Sequence, residues 1–300
     1  LEAVAAECRA LGVRALAVGP GGKVLVGMDA GLFELVSRDR FRRVEEWPGS
    51  GVTAIWGRTD AHEVWVASWD QANSKVFRWA AGTWAAAEAD ATMHAERIDA
   101  LVLDAGQRLW ARSRKALWVA DSAGGAFREA RGLLPPGGAQ GILLADGKGR
   151  VWVPTERGLM VLENGTPRRL GRREGLPSTL ISTVMLDSEG SLWMGGQGVQ
   201  RIPGGGLWEI HGVEQGLPSD VIWCVFRDRA GQLLVGTDRG LARASGQGWQ
   251  VVGGTNAFQI RSIVQGPDDS IFLAAAPLLL RWDPRRGGLE RFGPESGVVS

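Results

Sequence analysis

A repeat of about 41 residues runs through this chain and limits the folds that the chain can adopt. Its clearest copies are residues 175–201 and 216–243. Both begin with Gly-Leu-Pro-Ser, and both then alternate short hydrophobic runs with turn residues. The central apolar residue of the second run recurs roughly every 40 residues along the chain. These marker residues are Leu25, Trp65, Trp110, Trp152, Trp193, Leu234 and Phe272.

A period of this length, with about four short strands in each unit, is typical of β-propeller blades. The seven marker residues therefore predict an all-β fold, a seven-bladed β-propeller built from four-stranded repeats. We assign the propeller to residues 13–293. Residues 1–12 fit either a short amphipathic helix or the end of a preceding blade, and the repeat register favours the second. Residues 294–300 resemble the start of a further repeat, so we expect the chain to be a fragment.

The turn between the first two strands of several repeats carries the pattern Asp-x-x-Gly. Glycine adopts the left-handed conformation that closes such a turn without steric cost, and aspartate caps turns through its carboxylate. The aspartates recur at one register, which favours turn capping over catalysis; they are Asp104, Asp146, Asp187 and Asp228. The 14 tryptophans recur mostly at strand positions, which favours packing between blades over ligand stacking.

Composition excludes several classes of protein. The chain has 34 Lys+Arg and 33 Asp+Glu, and its basic residues are scattered along the sequence. Since nucleic-acid binding requires clustered basic residues, we expect no nucleic-acid partner. The two cysteines, Cys8 and Cys224, have neither the spacing of a zinc site nor that of a disulfide framework. The sequence Gly-Pro-Gly-Gly-Lys at 19–23 lacks Walker spacing and predicts a plain turn. No cofactor and no metal site are predicted.

The combination Gly-Leu-Pro-Ser, Asp-x-x-Gly-x-Leu-Trp-x-Gly and Gly-Leu/Val-x-Arg resembles the two-component regulator propeller repeat. It is complete at 175–201 and nearly so at 216–243, where Leu234 replaces the tryptophan. The resemblance implies the ligand-sensing propeller of a bacterial histidine kinase, hybrid two-component sensor or diguanylate cyclase, with no catalysis in these residues. It further implies a periplasmic location and a small-molecule or oligosaccharide ligand. The implied partners are further propeller, β-sandwich and output domains of the same chain, and a second copy of the chain.

Loops that join second to third strands, or that lead into first strands, lie at one end of each blade. Loops held by a rigid scaffold commonly carry function, so their non-repeating polar and aromatic residues are the candidate ligand contacts. These residues are Trp69, Asp70, Arg112, Arg114, Glu156, Arg157, Gln197, Asp238 and Arg239. Arginine can bind a carboxylate or sulfate through two parallel hydrogen bonds, and Trp69 could stack on a sugar ring. Trp223 is a weaker candidate, because it could simply pack between blades.

Two other functions remain open. One is a stand-alone propeller lyase similar to streptogramin lyase, which would need a histidine and a magnesium site. The three histidines, His62, His94 and His211, all fall in predicted turns or connections, which counts against it. The other is a propeller that binds protein partners and no small ligand.

Overall fold

The computed structural model describes residues 12–297 except 59, 61, 122–124, 135–141, 164, 203–208 and 277. The chain divides into two compact units. One unit comprises residues 1–101, 124–128 and 262–300, and the other comprises residues 102–123 and 129–261. Most of the predicted segment 1–12, the last three residues of 294–300, and Cys8 lie outside the described residues.

The first unit contains the first, second and seventh of the four-stranded sheets. The strands of the first sheet are β1 (Val13–Val18), β2 (Val24–Met28), β3 (Gly31–Ser37) and β4 (Arg40–Arg43). Those of the second are β5 (Gly51–Gly57), β6 (Glu63–Trp69), β7 (Ser74–Ala80) and β8 (Thr83–Ala86). Those of the seventh are β25 (Gln259–Gln265), whose start belongs to the second unit, β26 (Ile271–Ala276), β27 (Leu278–Trp282) and β28 (Leu289–Phe292). One short helix, α1 (Ala91–His94), follows the second sheet.

The second unit contains most of the third sheet and all of the fourth, fifth and sixth. The third comprises β9 (Ala100–Leu103), β10 (Leu109–Arg112), β11 (Leu117–Ala120) and β12 (Arg128–Glu129). The fourth comprises β13 (Leu144–Ala145), β14 (Arg150–Thr155), β15 (Gly158–Glu163) and β16 (Thr166–Leu170). The fifth comprises β17 (Ile181–Leu186), β18 (Leu192–Gly196), β19 (Gly198–Ile202) and β20 (Glu209–His211). The sixth comprises β21 (Ile222–Arg227), β22 (Leu233–Thr237), β23 (Gly240–Ser245) and β24 (Gly248–Val251).

In every sheet that the structure describes, consecutive strands are neighbours in the order first, second, third, fourth. This arrangement confirms the seven-bladed β-propeller that the repeat predicts. The strand predicted over 289–292 matches β28. The strand predicted over 141–144 is described only from residue 142, and the structure places it at Leu144–Ala145.

The turns have the predicted chemistry. The Gly-Pro-Gly-Gly segment forms a single 3-10 turn, Pro20–Gly22, with Gly21 at φ 68, in the left-handed region. Further 3-10 turns lie in the connections at Arg172–Glu174, Val213–Gln215 and Pro294–Ser296. Among the described residues, no helix is long and apolar enough to cross a membrane.

The core of the first unit consists of side chains packed between neighbouring sheets. The Trp47 ring lies edge-on to Phe77 and to Trp84, with centroid separations of 5.1 and 4.9 Å. In the same way Phe41 of the first sheet contacts Phe272 and Phe292 of the seventh, at 6.3 and 5.2 Å. Such aromatic pairs contribute about 0.5–1.5 kcal/mol beyond their burial. They hold the last sheet of the chain against the first.

The second unit has the same construction with aliphatic residues. Leu176 is buried between the fourth and fifth sheets, and Leu217 between the fifth and sixth. Both leucines come from the Leu-Pro connections, in which proline favours an extended backbone for the residue before it. The repeated Leu-Pro therefore inserts one buried side chain between successive sheets.

Candidate functional site

The recurring aspartates build turns. One carboxylate oxygen of Asp104 accepts hydrogen bonds from the backbone N–H groups of Gly106 and Arg108, at 2.9 and 3.0 Å. The other accepts from the indole N–H of Trp110, at 2.9 Å. Asp146 and Asp187 make the corresponding bonds to Trp152 and Trp193. This geometry confirms the turn-capping interpretation, and no open carboxylate is left at these three positions for catalysis.

The tryptophans of this motif are structural as well. An arginine lies over each ring, with the guanidinium carbon 5.0–5.6 Å from the ring centroid; the pairs are Arg108 on Trp110, Arg150 on Trp152 and Arg201 on Trp193. Cation–π contact of this kind is attractive by roughly 0.5–2 kcal/mol, depending on exposure. The repeated Asp, Trp and Arg thus form one structural element of the blade, as predicted for the tryptophans.

The first strands of several sheets contain a β-bulge near their start. In the second unit the register shifts between Ile181 and Thr183 and between Ile222 and Cys224, so Ser182 and Trp223 are the extra residues. A bulge frees one residue from the ladder and re-aims its side chain. The Ser182 hydroxyl donates to the Ile222 carbonyl at 2.7 Å and so links two sheets. Trp223 makes no corresponding hydrogen bond to a carbonyl among the described residues, and its side chain contacts Asp238 and Arg261 instead.

Trp223 belongs to a polar group that we call the Trp223 cluster, comprising Trp223, Asp238, Gln259 and Arg261. Oδ1 of Asp238 accepts from the Trp223 indole at 3.3 Å and from the Gln259 amide at 2.5 Å. Arg261 donates to Gln259 at 2.6 Å, and its guanidinium carbon lies 5.2 Å from the Trp223 ring centroid. Oδ2 of Asp238 accepts no hydrogen bond from the described part of the chain. The cluster therefore offers an exposed acceptor beside an aromatic ring and an arginine.

A rigid turn presents Asp238 and Arg239. The Thr237 hydroxyl donates to the Gly240 carbonyl at 2.9 Å and accepts from the Arg239 N–H at 3.0 Å. Gly240 has φ 120, which favours glycine. The side chains of residues 238 and 239 are exposed on this closed turn. Two of the predicted contact residues are thus fixed at the surface, and Asp238 is part of the cluster.

Glu156 and Arg157 lie on an equivalent turn of the fourth sheet. Thr155 donates to the Gly158 carbonyl at 2.7 Å and accepts from the Arg157 N–H at 3.2 Å. Both predicted side chains are exposed. The carbonyl of Arg157 accepts from Arg169, which ties this turn to β16.

The remaining predicted residues lie apart from the Trp223 cluster in sequence and in role. Arg112 lies in β10 and is 2% exposed, whereas Arg114 is exposed in the turn that follows. The Gln197 side chain is exposed, and its oxygen accepts from Ser178 at 3.3 Å. The structure therefore does not bring all the predicted residues of the second unit into one group.

In the first unit, Trp69 is half-buried at the end of β6, and Asp70 begins the following turn. The Asp70 carboxylate accepts from the backbone N–H groups of Asn73 and Ala72, at 2.6 and 3.0 Å. These bonds hold the pKa of Asp70 below its usual value. Capping this turn accounts for the position of Asp70.

The three histidines lie in different local structures. His62 lies in a bend and His94 ends α1, but His211 lies in β20, so its assignment to a connection was wrong. Its backbone pairs with Val199, and its ring lies edge-on to Trp249 with centroids 5.9 Å apart. Burial lowers the pKa of His211. Within the described residues no three His, Cys, Asp or Glu side chains are grouped as metal ligands would be.

Gln259 and Arg261 were not predicted as site residues. They lie in the seventh repeat, where the Gly-Leu-Pro-Ser and Asp-x-x-Gly markers are degenerate. The register of the repeat could have identified Arg261. Ser182 and Trp223 each lie five residues before the turn aspartate of their repeat, and Arg261 lies five residues before the corresponding turn residue, Gly266. Gln259 has no such signal, since its role depends on the approach of β25 to the turn that carries Asp238.

These sheets and connections define the chain as a seven-bladed β-propeller. Residues 216–239 match the family model described as two component regulator propeller, so this segment is a repeat of that family. The match contains Trp223, Asp238 and Arg239, and it supports the resemblance proposed from the sequence. No curated protein matches the chain in sequence.

Solved structures share the fold at low sequence identity. A streptogramin B lyase structure is 13% identical with a TM-score of 0.72, and the alignment covers 94% of each chain. The extracellular domain of a protein from B. thetaiotaomicron, described as a hybrid two component system, is 12% identical with a TM-score of 0.60. That alignment covers 95% of this chain and 47% of the other, so this chain spans about half of that domain. The GH74 xyloglucanase from Xanthomonas campestris is 17% identical with a TM-score of 0.70, over 95% and 55% of the two chains. Such similarities establish the fold alone.

Proposed function

We propose that this chain is the ligand-sensing propeller of a bacterial signal-transduction receptor, located on the extracytoplasmic side, and that the Trp223 cluster contacts the ligand. The observation that carries the proposal is that Trp223 and Asp238 lie within the matched segment 216–239, and that Gln259 and Arg261 of the next repeat contact them. In the fifth sheet, the bulge residue is Ser182, which links two sheets. In the sixth sheet, the bulge residue is Trp223, which lies beside the Asp238 carboxylate. The output domain would lie elsewhere in the same protein, and a second copy of the chain is a candidate partner.

The chemistry of the cluster suits an oligosaccharide. Tryptophan packs against the apolar face of a sugar ring, and the Trp223 N–H bonded to Asp238 holds the ring in place for such a contact. The open oxygen of Asp238 can accept from a hydroxyl, and an arginine can donate two parallel hydrogen bonds to an acidic substituent. Ligand binding at this exposed edge would then bias the contact between the propeller and its neighbouring domain.

Direct binding tests this proposal. Neutral and acidic oligosaccharides are screened by thermal shift and by isothermal titration calorimetry. For a ligand that binds, we expect Trp223→Ser and Asp238→Asn each to weaken affinity by about tenfold, which is roughly 1.4 kcal/mol. The control is Ser245→Ala, since the Ser245 hydroxyl is exposed on the same sheet and makes no hydrogen bond to the described residues. Unchanged affinity in both cluster variants would refute the site, and partner proteins captured without any glycan binding would favour the protein-interaction alternative.

A second test concerns the receptor role. The native coding sequence is read beyond both ends of this chain. A hydrophobic span of about 20 residues followed by a kinase or cyclase domain is the expected result. A coding sequence with neither span nor output domain would refute the receptor role.

A lyase is the second candidate, because the structural similarity to streptogramin B lyase extends over 94% of both chains. It is tested by incubating streptogramin B with the protein and added divalent metal. Loss of such activity in His211→Ala would support a catalytic histidine. The edge-on packing of His211 against Trp249 instead predicts that this substitution affects stability alone.

A further inference from the structure

Five exposed arginines gather on the fourth sheet: one on the turn between its second and third strands, two on its last strand and two on the connection that follows. We call this group the arginine edge; it comprises Arg157, Arg168, Arg169, Arg172 and Arg173. In the sequence these residues lie in two separate segments. Arg169 joins them, because its Nη2 and Nε donate to the Arg157 carbonyl at 2.5 and 3.1 Å. The fold thus concentrates positive charge that overall composition conceals.

None of these five arginines forms an ion pair with any residue that the structure describes. In contrast, Arg108 and Arg150 are paired with turn aspartates at 2.8 and 2.7 Å. Residues 156–174 contain five arginines and three glutamates, whereas the whole chain has 34 basic and 33 acidic residues. Of the three glutamates, Glu174 is engaged in accepting from the Gly171 N–H at 2.6 Å. The guanidinium groups of Arg157, Arg168, Arg172 and Arg173 are therefore available to an external anion, whereas Arg169 is partly engaged by the Arg157 carbonyl.

Protection of an edge strand explains only part of this charge. β16 is the last strand of its sheet, and proline and charged residues on such strands prevent pairing with another chain. Pro167, Arg168 and Arg169 fit that role. Arg157 lies on the turn between β14 and β15, and Arg172 and Arg173 lie on the 3-10 turn after β16, where no strand edge needs protection. These three arginines require another explanation.

Exposed aliphatic side chains lie beside this charge. The Gly158 N–H donates to the Thr179 carbonyl at 2.6 Å, so Leu180, 42% exposed, follows next to the turn that carries Arg157. Val221, 48% exposed, occupies the equivalent position after the fifth sheet, where the Gly198 N–H donates to Asp220 at 2.7 Å. Val213 in the same connection is 51% exposed. Arginines and large exposed aliphatics thus share one end of successive sheets.

We propose that this surface docks on a membrane rich in anionic phospholipid. Guanidinium groups bind phosphate through paired hydrogen bonds, and basic residues near an anionic membrane each add attraction that salt screens. Exposed aliphatic side chains at the same end can insert between headgroups, as in other interfacial proteins. An acidic protein partner would use the same residues, and binding to protein-free vesicles distinguishes the two. This role does not depend on ligand binding by the Trp223 cluster.

Vesicle sedimentation tests the proposal. The purified protein is mixed with vesicles of phosphatidylglycerol and phosphatidylcholine, or of phosphatidylcholine alone, at increasing salt. We expect binding to the anionic vesicles only, and weaker binding as salt rises. Arg172→Glu with Arg173→Glu should reduce partitioning by roughly 30-fold or more, on the scale of attraction per basic residue near such membranes. The side chains of these two arginines make no hydrogen bond to described residues, so the double variant should fold normally.

Matched controls separate a specific surface from general attraction. Arg40→Glu with Arg43→Glu makes the same charge change on two exposed arginines of the first sheet, which form no ion pair with the described residues. Leu180→Ser is compared with Val36→Ser, since Val36 is 45% exposed elsewhere. We expect the Arg172/Arg173 double variant and Leu180→Ser to lose binding, and both controls to retain it. Equal loss in the controls, no preference for anionic vesicles, or binding of inositol hexakisphosphate without vesicle binding would each overturn the proposal.

Discussion

The fifth and sixth sheets share the residues that build their strands and turns, and they differ in the residues at one end of the blade. Both follow a Gly-Leu-Pro-Ser connection and both carry the Asp-x-x-Gly turn. At the bulge, the fifth sheet has Ser182 and the sixth has Trp223. At the turn between second and third strands, the fifth has Gln197 alone and the sixth has Asp238 and Arg239. The shared residues build the blade, and the differing residues change the polar and aromatic groups at one end of it.

The longer turn of the sixth sheet has a packing consequence. Gly196 and Thr237 occupy the same register, opposite Ile181 and Ile222 respectively. A Cβ at Gly196 would overlap the Leu180 carbonyl. The sixth sheet accepts a threonine here, and uses its hydroxyl to close the turn that presents Asp238. The fifth sheet requires glycine at this position for steric reasons. The sixth sheet, whose turn is one residue longer, has a threonine there that closes the turn by a hydrogen bond.

The largest effect is expected from Gly196→Ala, which gives the fifth sheet the Cβ that the sixth already has. Because the clash is with backbone, the strands must separate, and we expect a loss of about 3 kcal/mol in the free energy of unfolding. Urea denaturation measures this loss. Gly253→Ala is the control, since its Cβ would meet nothing within 4 Å. Equal stability of the two variants would show that the close approach does not constrain the fifth sheet.

A smaller loss is expected from Asp187→Ala. The carboxylate accepts from the N–H groups of Ser191 and Glu189 and from the Trp193 indole, at 2.8, 3.0 and 2.8 Å. Removing it leaves buried donors without an acceptor, at a cost of about 2–3 kcal/mol. Asp238→Ala, at the exposed turn of the sixth sheet, is the control and should change stability by less than about 0.5 kcal/mol. Comparable losses of stability from the two substitutions would contradict the distinction between residues that build the blade, such as Asp187, and residues of the Trp223 cluster, such as Asp238.

Acidification tests the same carboxyl. Burial alone would raise the pKa of Asp187, but hydrogen bonds from Trp193, Ser191 and Glu189 outweigh it and hold the pKa below its usual value. Such a group stabilises the fold above its unfolded pKa of about 3.9, and the contribution is lost as pH falls through the lower folded value. We therefore expect the free energy of unfolding to fall below about pH 4, less steeply in Asp187→Asn than in the wild type. Parallel pH curves for the two proteins would exclude this contribution.

Ser182→Ala should have a moderate effect. It removes the hydrogen bond to the Ile222 carbonyl that joins the fifth and sixth sheets, and we expect a loss of about 1 kcal/mol. Ser245→Ala is the control, because the Ser245 hydroxyl is exposed and makes no hydrogen bond to the described residues. If Ser182→Ala were as stable as its control, the serine at the bulge would have no linking role.

The smallest effect is expected from Gln215→Glu, which makes the connection before the sixth sheet resemble the one before the fifth. Glu174 and Gln215 accept from the Gly171 and Gly212 N–H groups, at 2.6 and 2.7 Å. Since the acceptor oxygen is retained, stability should change by less than about 0.5 kcal/mol, whereas Gln215→Ala should lose about 1 kcal/mol. Thermal denaturation at neutral pH distinguishes the two results. A large loss from Gln215→Glu would show that these connections are not equivalent.

Much of the architecture could be predicted from local signals. The spacing of Trp65, Trp110, Trp152 and Trp193 indicates blades because each blade needs the same turn and the same packed ring. The turn role of Asp104 could be predicted for the same reason, since its partners lie within six residues along the chain. His211 was misplaced because the short fourth strand of the fifth sheet has little alternation to mark it. Arg112 looked like a loop residue because burial at the end of a short strand leaves no local pattern.

The sequence by itself determined the number of blades, their strand order and the residues that close their turns, because these depend on contacts between neighbours in the chain. Tertiary structure alone decided which distant side chains meet. Gln259 reaches Asp238 from 21 residues away, and Arg281 donates to the Arg38 carbonyl across 243 residues. It also gathered Arg157 with Arg169 at one edge of the fourth sheet. Such long-range contacts depend on how strands pair and sheets pack, and no local pattern in the periodic sequence encodes them.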